Sequence, residues 1–222
     1  GAGLAFALTT MAMIASASAQ ELDTLKKIKA TNTIVIGHRD VSVPFSYFDD
    51  KQQPIGYSID LCMRIVDAIK ITQKLPKLQV KLQAVTAATR IPLVANGTVD
   101  MECGATTNTA ERQQQVSFVV TTFVAATRLA SKKSSNFKSL NDLKDKTVVA
   151  VAGTTNLRQI TEINGQRGLH MTLIPAKHHN DAFAMLEKGE AAAFASDDIL
   201  LYGIIANSAV PADYAVSNDA LS

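Results

Sequence analysis

The stretch ECGATTNTAERQQQVSF, Glu102 to Phe118, places Thr106, Thr107, Asn108 and Arg112 where a helix is expected to start. A helix start offers unpaired backbone N–H groups and the positive end of the helix dipole, so two hydroxyls and a guanidinium there make an anion receptor. Asn108 followed by Glu111 has the spacing of a capping box, which puts Arg112 on the first turn. A second arginine, Arg90, falls at another helix start, with Thr89 as N-cap and Pro92 in the first turn, where a missing N–H costs little. Plainer readings stand beside these. A lone Arg90 is more often a solvated charge, Asp197 or Asp198 caps a helix beginning at Ile199, and His178 with His179 makes a surface pair.

The elements that must position these residues are legible from periodicity. After a helix in Glu21 to Ala30, TIVIGHR (Thr33 to Arg39) is an apolar run bounded by a polar turn and predicts a buried strand. In GYSIDLCMRIVDAIKI, Ile59, Cys62, Met63, Val66 and Ile69 recur at helical spacing. LQVKLQAV predicts a strand, TRIPLVANG a short helix stopped at Asn96-Gly97, and TVDMECG another strand. Strands alternating with helices imply an α/β fold with mainly parallel sheets covered on both faces. A β-rich stretch, VSFVVTTFVAATRLAS, then gives way to the polar KKSSNFKSLNDLKDK, a candidate domain crossing. Beyond it the pattern restarts: TVVAVAGTT as strand and turn, Asn156 to Asn164 helix, LHMTLIPA strand, Asp181 to Lys188 helix, AAAFAS strand, Ile199 to Ala206 helix. Two α/β lobes are expected to face each other. Ligands of open α/β sheets bind beyond the carboxyl ends of strands, and there the polar residues Arg39, Thr106, Thr107, Thr154, Thr155, His179 and Asp197 collect.

Bulk properties narrow the function. Leu4 to Ile14 is apolar and uncharged, and Ala15 to Ala19 supplies a small-residue cleavage site, so residues 1–19 read as an export signal too short to span a bilayer. A net charge of +2 with acids and bases interspersed gives no basic block for nucleic acid or anionic lipid. No tryptophan and 5% aromatic residues argue against a sugar-stacking cleft, although Phe45, Tyr47 and Phe48 are clustered enough to wall a small pocket. The only cysteines, Cys62 and Cys103, are an even count in an exported chain, which favours one disulfide over two buried thiols. His38, His170, His178 and His179 lack metal-site spacing, so neither metal nor cofactor is expected.

Taken together, GHRDVSVPFSYFD, GYSID, RIPLVANGTVDMECGATTNTAERQQQVSF, GTT and AFASDD, in this order, resemble the periplasmic glutamate/aspartate-binding proteins of ABC importers, which have the two-lobed type II periplasmic binding protein fold. The resemblance runs from about Leu22 to Ser222. It implies residues 20–125 as lobe one, residues 126–222 as lobe two and a hinge crossing near 123–131, with the C-terminal return to lobe one expected to be missing. It also implies that Arg112 and Thr107 hold the α-carboxylate of the ligand, and that Asp197 and the Ala105 carbonyl take the ammonium. Arg39, Arg90 and His179 would face the side-chain carboxylate, with His179 as a counter-charge, and Thr155 would contribute from lobe two. The implied partners are an acidic amino acid and a membrane permease, for a monomeric receptor in the periplasm that binds no nucleic acid. Many relatives carry serine where this chain has Ala87 and Ala105, which leaves glutamate and aspartate undecided. Two rival readings are an exported dehydratase on the same fold, for which His179 or Glu102 would be the general acid or base, and a ligand-sensing domain.

Overall fold

The computed structural model describes residues 23–221; the expected export signal lies outside them. Helix α1 (Thr24–Thr31) is capped by Asp23, whose carboxylate accepts from Lys26 N. Strand β1 (Thr33–His38) buries Ile34 and Ile36. The chain then makes an antiparallel meander of β2 (Val41–Ser42), β3 (Ser46–Phe48) and β4 (Pro54–Ile55) before entering α2 (Tyr57–Thr72). There follow β5 (Gln79–Ala84), α3 (Arg90–Ala95), β6 (Met101–Cys103) and the single turn α4 (Ala110–Gln113). β1 lies between β5 and β6 in a parallel sheet, with Ile34 opposite Val80 and Gly37 opposite Glu102. Helix α2 lays Ile59, Cys62 and Val66 on this sheet with Ile28, Ile34 and Ile36, the helical spacing expected of an apolar face. The expected disulfide is present: Cys62 Sγ and Cys103 Sγ are 2.05 Å apart, tying α2 to the end of β6.

A second sheet is built from β7 (Thr127–Lys132), β8 (Thr147–Val151), β9 (Thr172–Ala176), β10 (Ala193–Asp197) and β11 (Tyr214–Val216), in the order β11-β7-β10-β8-β9. Its helices are α5 (Thr155–Arg167), α6 (His179–Lys188) and α7 (Asp198–Ala206). Val148 and Ala150 pack under α5 with Ile160, while Val149 and Val151 pack under α6 and α7 with Phe183, Leu186 and Leu201. The period-two alternation of β8 therefore fills both faces. β9, β8 and β10 run parallel, as expected, but β7 is antiparallel to both β10 and β11, so this sheet is mixed.

Several boundaries differ from the sequence expectation. Only Thr127–Lys132 of the β-rich stretch forms a strand; before it the chain crosses between the two units as extended coil, leaving Val119, Val120 and Val124 at 64%, 85% and 83% exposure. β-branched residues favour strands only where a ladder partner and a packed face exist, and none is present there among the described residues. The cap of α4 is Thr109, whose Oγ1 accepts from Arg112 N at 3.2 Å, rather than Asn108, whose side chain accepts from Gln113 Nε2. α5 and α6 begin at Thr155 and His179, earlier than Asn156 and Asp181.

Candidate functional site

A small cavity lies between the two units. Its walls are Arg39, Arg90, Ala105 and Thr107 from the first and Thr154, Thr155, Asn156, His179, Asp197 and Leu200 from the second. Arg39 follows the carboxyl end of β1, Ala105 follows that of β6, and Asp197 ends β10. Arg90 opens α3, Thr155 opens α5 and His179 opens α6. Helix beginnings therefore turn their positive ends toward the space. Of the eight residues expected around a ligand, seven line this cavity. The eighth, Arg112, does not line it; its Nη1 donates to Thr107 O at 2.8 Å and Nη2 donates to Gly153 O at 3.1 Å, bridging the two units. Phe45, Tyr47 and Phe48 do not line it: Phe45 packs edge-on against Tyr57 and Phe123, and Tyr47 and Phe48 face a separate groove.

The wall of the first unit is charged and sparsely bonded. Arg39 is 0% exposed; its backbone is pinned by Ser46, whose Oγ accepts from Arg39 N at 2.8 Å. Its three guanidinium nitrogens are buried without a hydrogen-bond partner, as is Arg90 Nε. Burial lowers the basicity of both, Arg90 to about 10, while the charge of nearby Glu102 acts the other way. Glu102 and Arg39 pack side by side over Gly104, where a Cβ would stand 2.2 Å from Glu102 Oε1 and 2.8 Å from Arg39 Cγ. Thr106, expected as a ligand donor, instead gives its hydroxyl proton to Glu102 Oε2 at 2.8 Å. Arg112 is likewise lowered to about 10, first by burial and then by Arg90 and Arg158.

In the second unit's wall, Asp197 occupies the N-cap position of α7 without making a side-chain cap. Its Oδ1 instead accepts from Asn156 Nδ2 at 2.8 Å, and Asp198 Oδ1 takes Ile199 N. Burial, against the Asn156 bond, raises its pKa. His179 is pushed down to about 3, by burial first and then by Arg39, Arg90 and His178, so its imidazole is neutral at ordinary pH. The expectation of a counter-charge is corrected: burial first, and then the two neighbouring guanidiniums, disfavour a third positive charge, and the ring's Nδ1 is buried without a hydrogen-bond partner. Thr155 Oγ1 faces Thr107 Oγ1 at 3.5 Å across the cavity.

Sequence reasoning missed Asn156 and Leu200, and gave Thr154 no role beyond its place among the polar residues at strand ends; its Oγ1 accepts from Leu157 N as the cap of α5 and donates to Val151 O. Asn156 gave one signal, a polar residue on the buried side of a helix start. Among the described residues no group of three or more His, Cys, Asp or Glu is placed to hold a metal, and no helix is long and apolar enough to cross a membrane.

The family described as bacterial extracellular solute-binding proteins, family 3, matches residues 34–200. The chain is 50% identical over 215 residues to the L-glutamate/L-aspartate-binding protein of Pseudomonas aeruginosa, covering 96% of this chain and 71% of that protein. It is 47% identical over 193 residues to the glutamate/aspartate import solute-binding protein of Escherichia coli K12, covering 87% of this chain and 64% of that one. Its fold is similar to holo ArgBP from T. maritima, with a TM-score of 0.77 at 24% identity over 89% of this chain and 81% of that chain.

Proposed function

The chain belongs to the bacterial extracellular solute-binding proteins of family 3, and from that premise we propose that it is a receptor that closes two lobes over L-glutamate or L-aspartate and delivers it to the membrane permease of an ABC importer. The activity is binding, not catalysis. Two relatives named for glutamate and aspartate support the ligand class. The observation that carries the reading is Arg39: a fully buried guanidinium with no hydrogen-bond partner, in the wall of a cavity between two lobes.

A buried charge left unpaired is costly, and a carboxylate bound bidentately would satisfy it. The charges of the cavity lining agree. Arg39 and Arg90 oppose Asp197, and His179 is neutral, so the lining has one positive charge in excess. An acidic amino acid, with two carboxylates and one ammonium, has one negative charge in excess. The α-carboxylate is assigned to Arg112 and Thr107, the ammonium to Asp197 and the Ala105 carbonyl, and the distal carboxylate to Arg39, Arg90 and the N–H of His179, with Thr155 closing the second lobe's side. Asn156 holds the Asp197 carboxylate in place for the ammonium. Residues 123–131 act as the hinge between lobe one (20–125) and lobe two (126–222), and the receptor works as a periplasmic monomer after loss of residues 1–19.

A thermal-shift screen of the full-length protein against single amino acids tests this. Ligand binding only to the folded state stabilises it by about 2.7 kcal/mol at a hundred times Kd, so glutamate and aspartate should give the largest shifts. A screen in which neither shifts the transition removes the reading.

A further inference from the structure

Helix α7 reads DILLYGIIA, and Gly203 in its interior has no local reason to be there: glycine weakens a helix relative to alanine. The reason is across the cleft. A Cβ on Gly203 would stand 2.8 Å from Val43 O and 3.2 Å from Val43 Cγ1, closer than a side-chain carbon tolerates against a backbone oxygen. Val43 belongs to the first unit, four residues beyond Arg39, and Gly203 follows Asp197 by six. Leu200, one helical turn before Gly203 and on the same face, lines the cavity. The Val43 segment has little freedom to yield: Ser42 O accepts from Phe45 N at 2.8 Å, and Pro44 O accepts from Tyr57 N at 3.0 Å.

We propose that Gly203 is a closure-determining residue: the missing side chain lets α7 seat on the Val43 carbonyl, and that seating brings Asp197 and Arg39 to their positions around one ligand. Gly203 touches no ligand and does not line the cavity; it acts through the position of α7. On the other side Gly153 makes a similar approach, where a Cβ would stand 2.7 Å from Ala88 Cα, but its φ of +78° makes any substitution strained in itself. Gly203 is therefore the cleaner probe. It has a matched control in the same lobe, because Gly165 lies inside α5 with nothing within 4 Å of its Cβ position.

The inference rests on the receptor reading, and three proteins separate the two: wild type, G203A and G165A, each full length, measured by calorimetry with L-glutamate and by ligand-free melting. Alanine strengthens both helices, so neither variant should melt below wild type without ligand. G203A should bind glutamate at least tenfold more weakly, through faster release, and should scatter X-rays with a larger radius of gyration than wild type at saturating glutamate. G165A should bind as wild type does. A G203A affinity within twofold of wild type overturns the proposal. So does a G203A ligand-free melting temperature below that of wild type, which would assign the Val43 contact to the resting fold rather than to closure. Absence of glutamate binding in wild type itself is a different result: it overturns the receptor reading and takes this inference with it.

Discussion

On the first unit's side the cavity is walled by long cationic side chains, Arg39 and Arg90, held in place by burial and by Glu102 rather than by hydrogen bonds of their own. On the second unit's side it is walled by helix beginnings, where Thr154 caps α5 and Asn156 donates to Asp197. The supports differ in the same way. Among the described residues the first unit has one apolar cluster, on a three-stranded sheet clipped by a disulfide, and the second has clusters on both faces of a five-stranded one. Strong, poorly satisfied charge is thus placed on the lighter scaffold, and finely oriented neutral and acidic groups on the heavier one. The contrast suggests a division of labour: one wall stores an electrostatic demand that the proposed ligand would meet, and the other wall is ready-made.

The largest effect that would test this contrast is on the clip. Cys62 and Cys103 are 41 residues apart, and by the chain-entropy account their bridge stabilises the first unit by about 4 kcal/mol. Reduction should release hydrogen-exchange protection in α2 and β6 while leaving β8 and β10 protected; equal loss in both units would break the comparison. Next comes Arg112, which ties Thr107 O to Gly153 O. Arg112→Ala should weaken glutamate and glutamine alike, by about 3 kcal/mol, because the α-carboxylate is common to both. Calorimetry with both ligands checks this.

A smaller and opposite-signed effect is expected at Arg39. Replacing a buried unpaired charge by an apolar side chain of similar length commonly stabilises a fold, so Arg39→Met should raise ligand-free stability by about 2 kcal/mol while losing glutamate binding. Denaturant titration without ligand that shows a large loss of stability would mean the first wall stores no such demand. The smallest effect belongs to the second wall. His179 has a folded pKa of about 3 against 6.5 for a free imidazole, so its folded state refuses a proton that the unfolded chain takes as pH falls below 6.5. The penalty fades to nothing above about pH 7.5; at pH 5.5 it is about 1.4 kcal/mol, growing until pH reaches the folded value. Asp197, whose pKa burial raises, contributes with the opposite sign, so the difference between wild type and His179→Gln across this window is the quantity to measure.

The first wall was more legible in the sequence than the second. Arg39 and Arg90 stood out by position, at a strand end and a helix start, but a lone Arg90 reads as a solvated charge, and it was the order of the motifs, through the family resemblance, that drew both to the site. Periodicity found every core strand of both sheets except the edge strand β11. What it could not give were single-residue helix starts: the positions of Thr155 and His179 as first residues of α5 and α6 depend on caps at Thr154 and His178 that ordinary propensity does not distinguish from their neighbours. The extended crossing before β7 was misread because β-branched content reports a preference for a sheet and not the presence of a partner strand. Glu102 was visible only as a rival catalytic acid, since its place beside Arg39 depends on both packing over Gly104.

On the proposed reading, the cavity lining, with Arg39 and Arg90 against Asp197, keeps one positive charge in excess until a second carboxylate arrives. Calorimetry of the full-length protein with L-glutamate and L-glutamine, which differ in that carboxylate and little else, tests it most directly. Glutamate should bind at least a hundredfold more tightly, a difference of about 2.7 kcal/mol or more, and Arg90→Ala should narrow the ratio. Equal affinity for the two in the unmutated protein would contradict the charge count and send Arg39 and Arg90 back to a purely structural role.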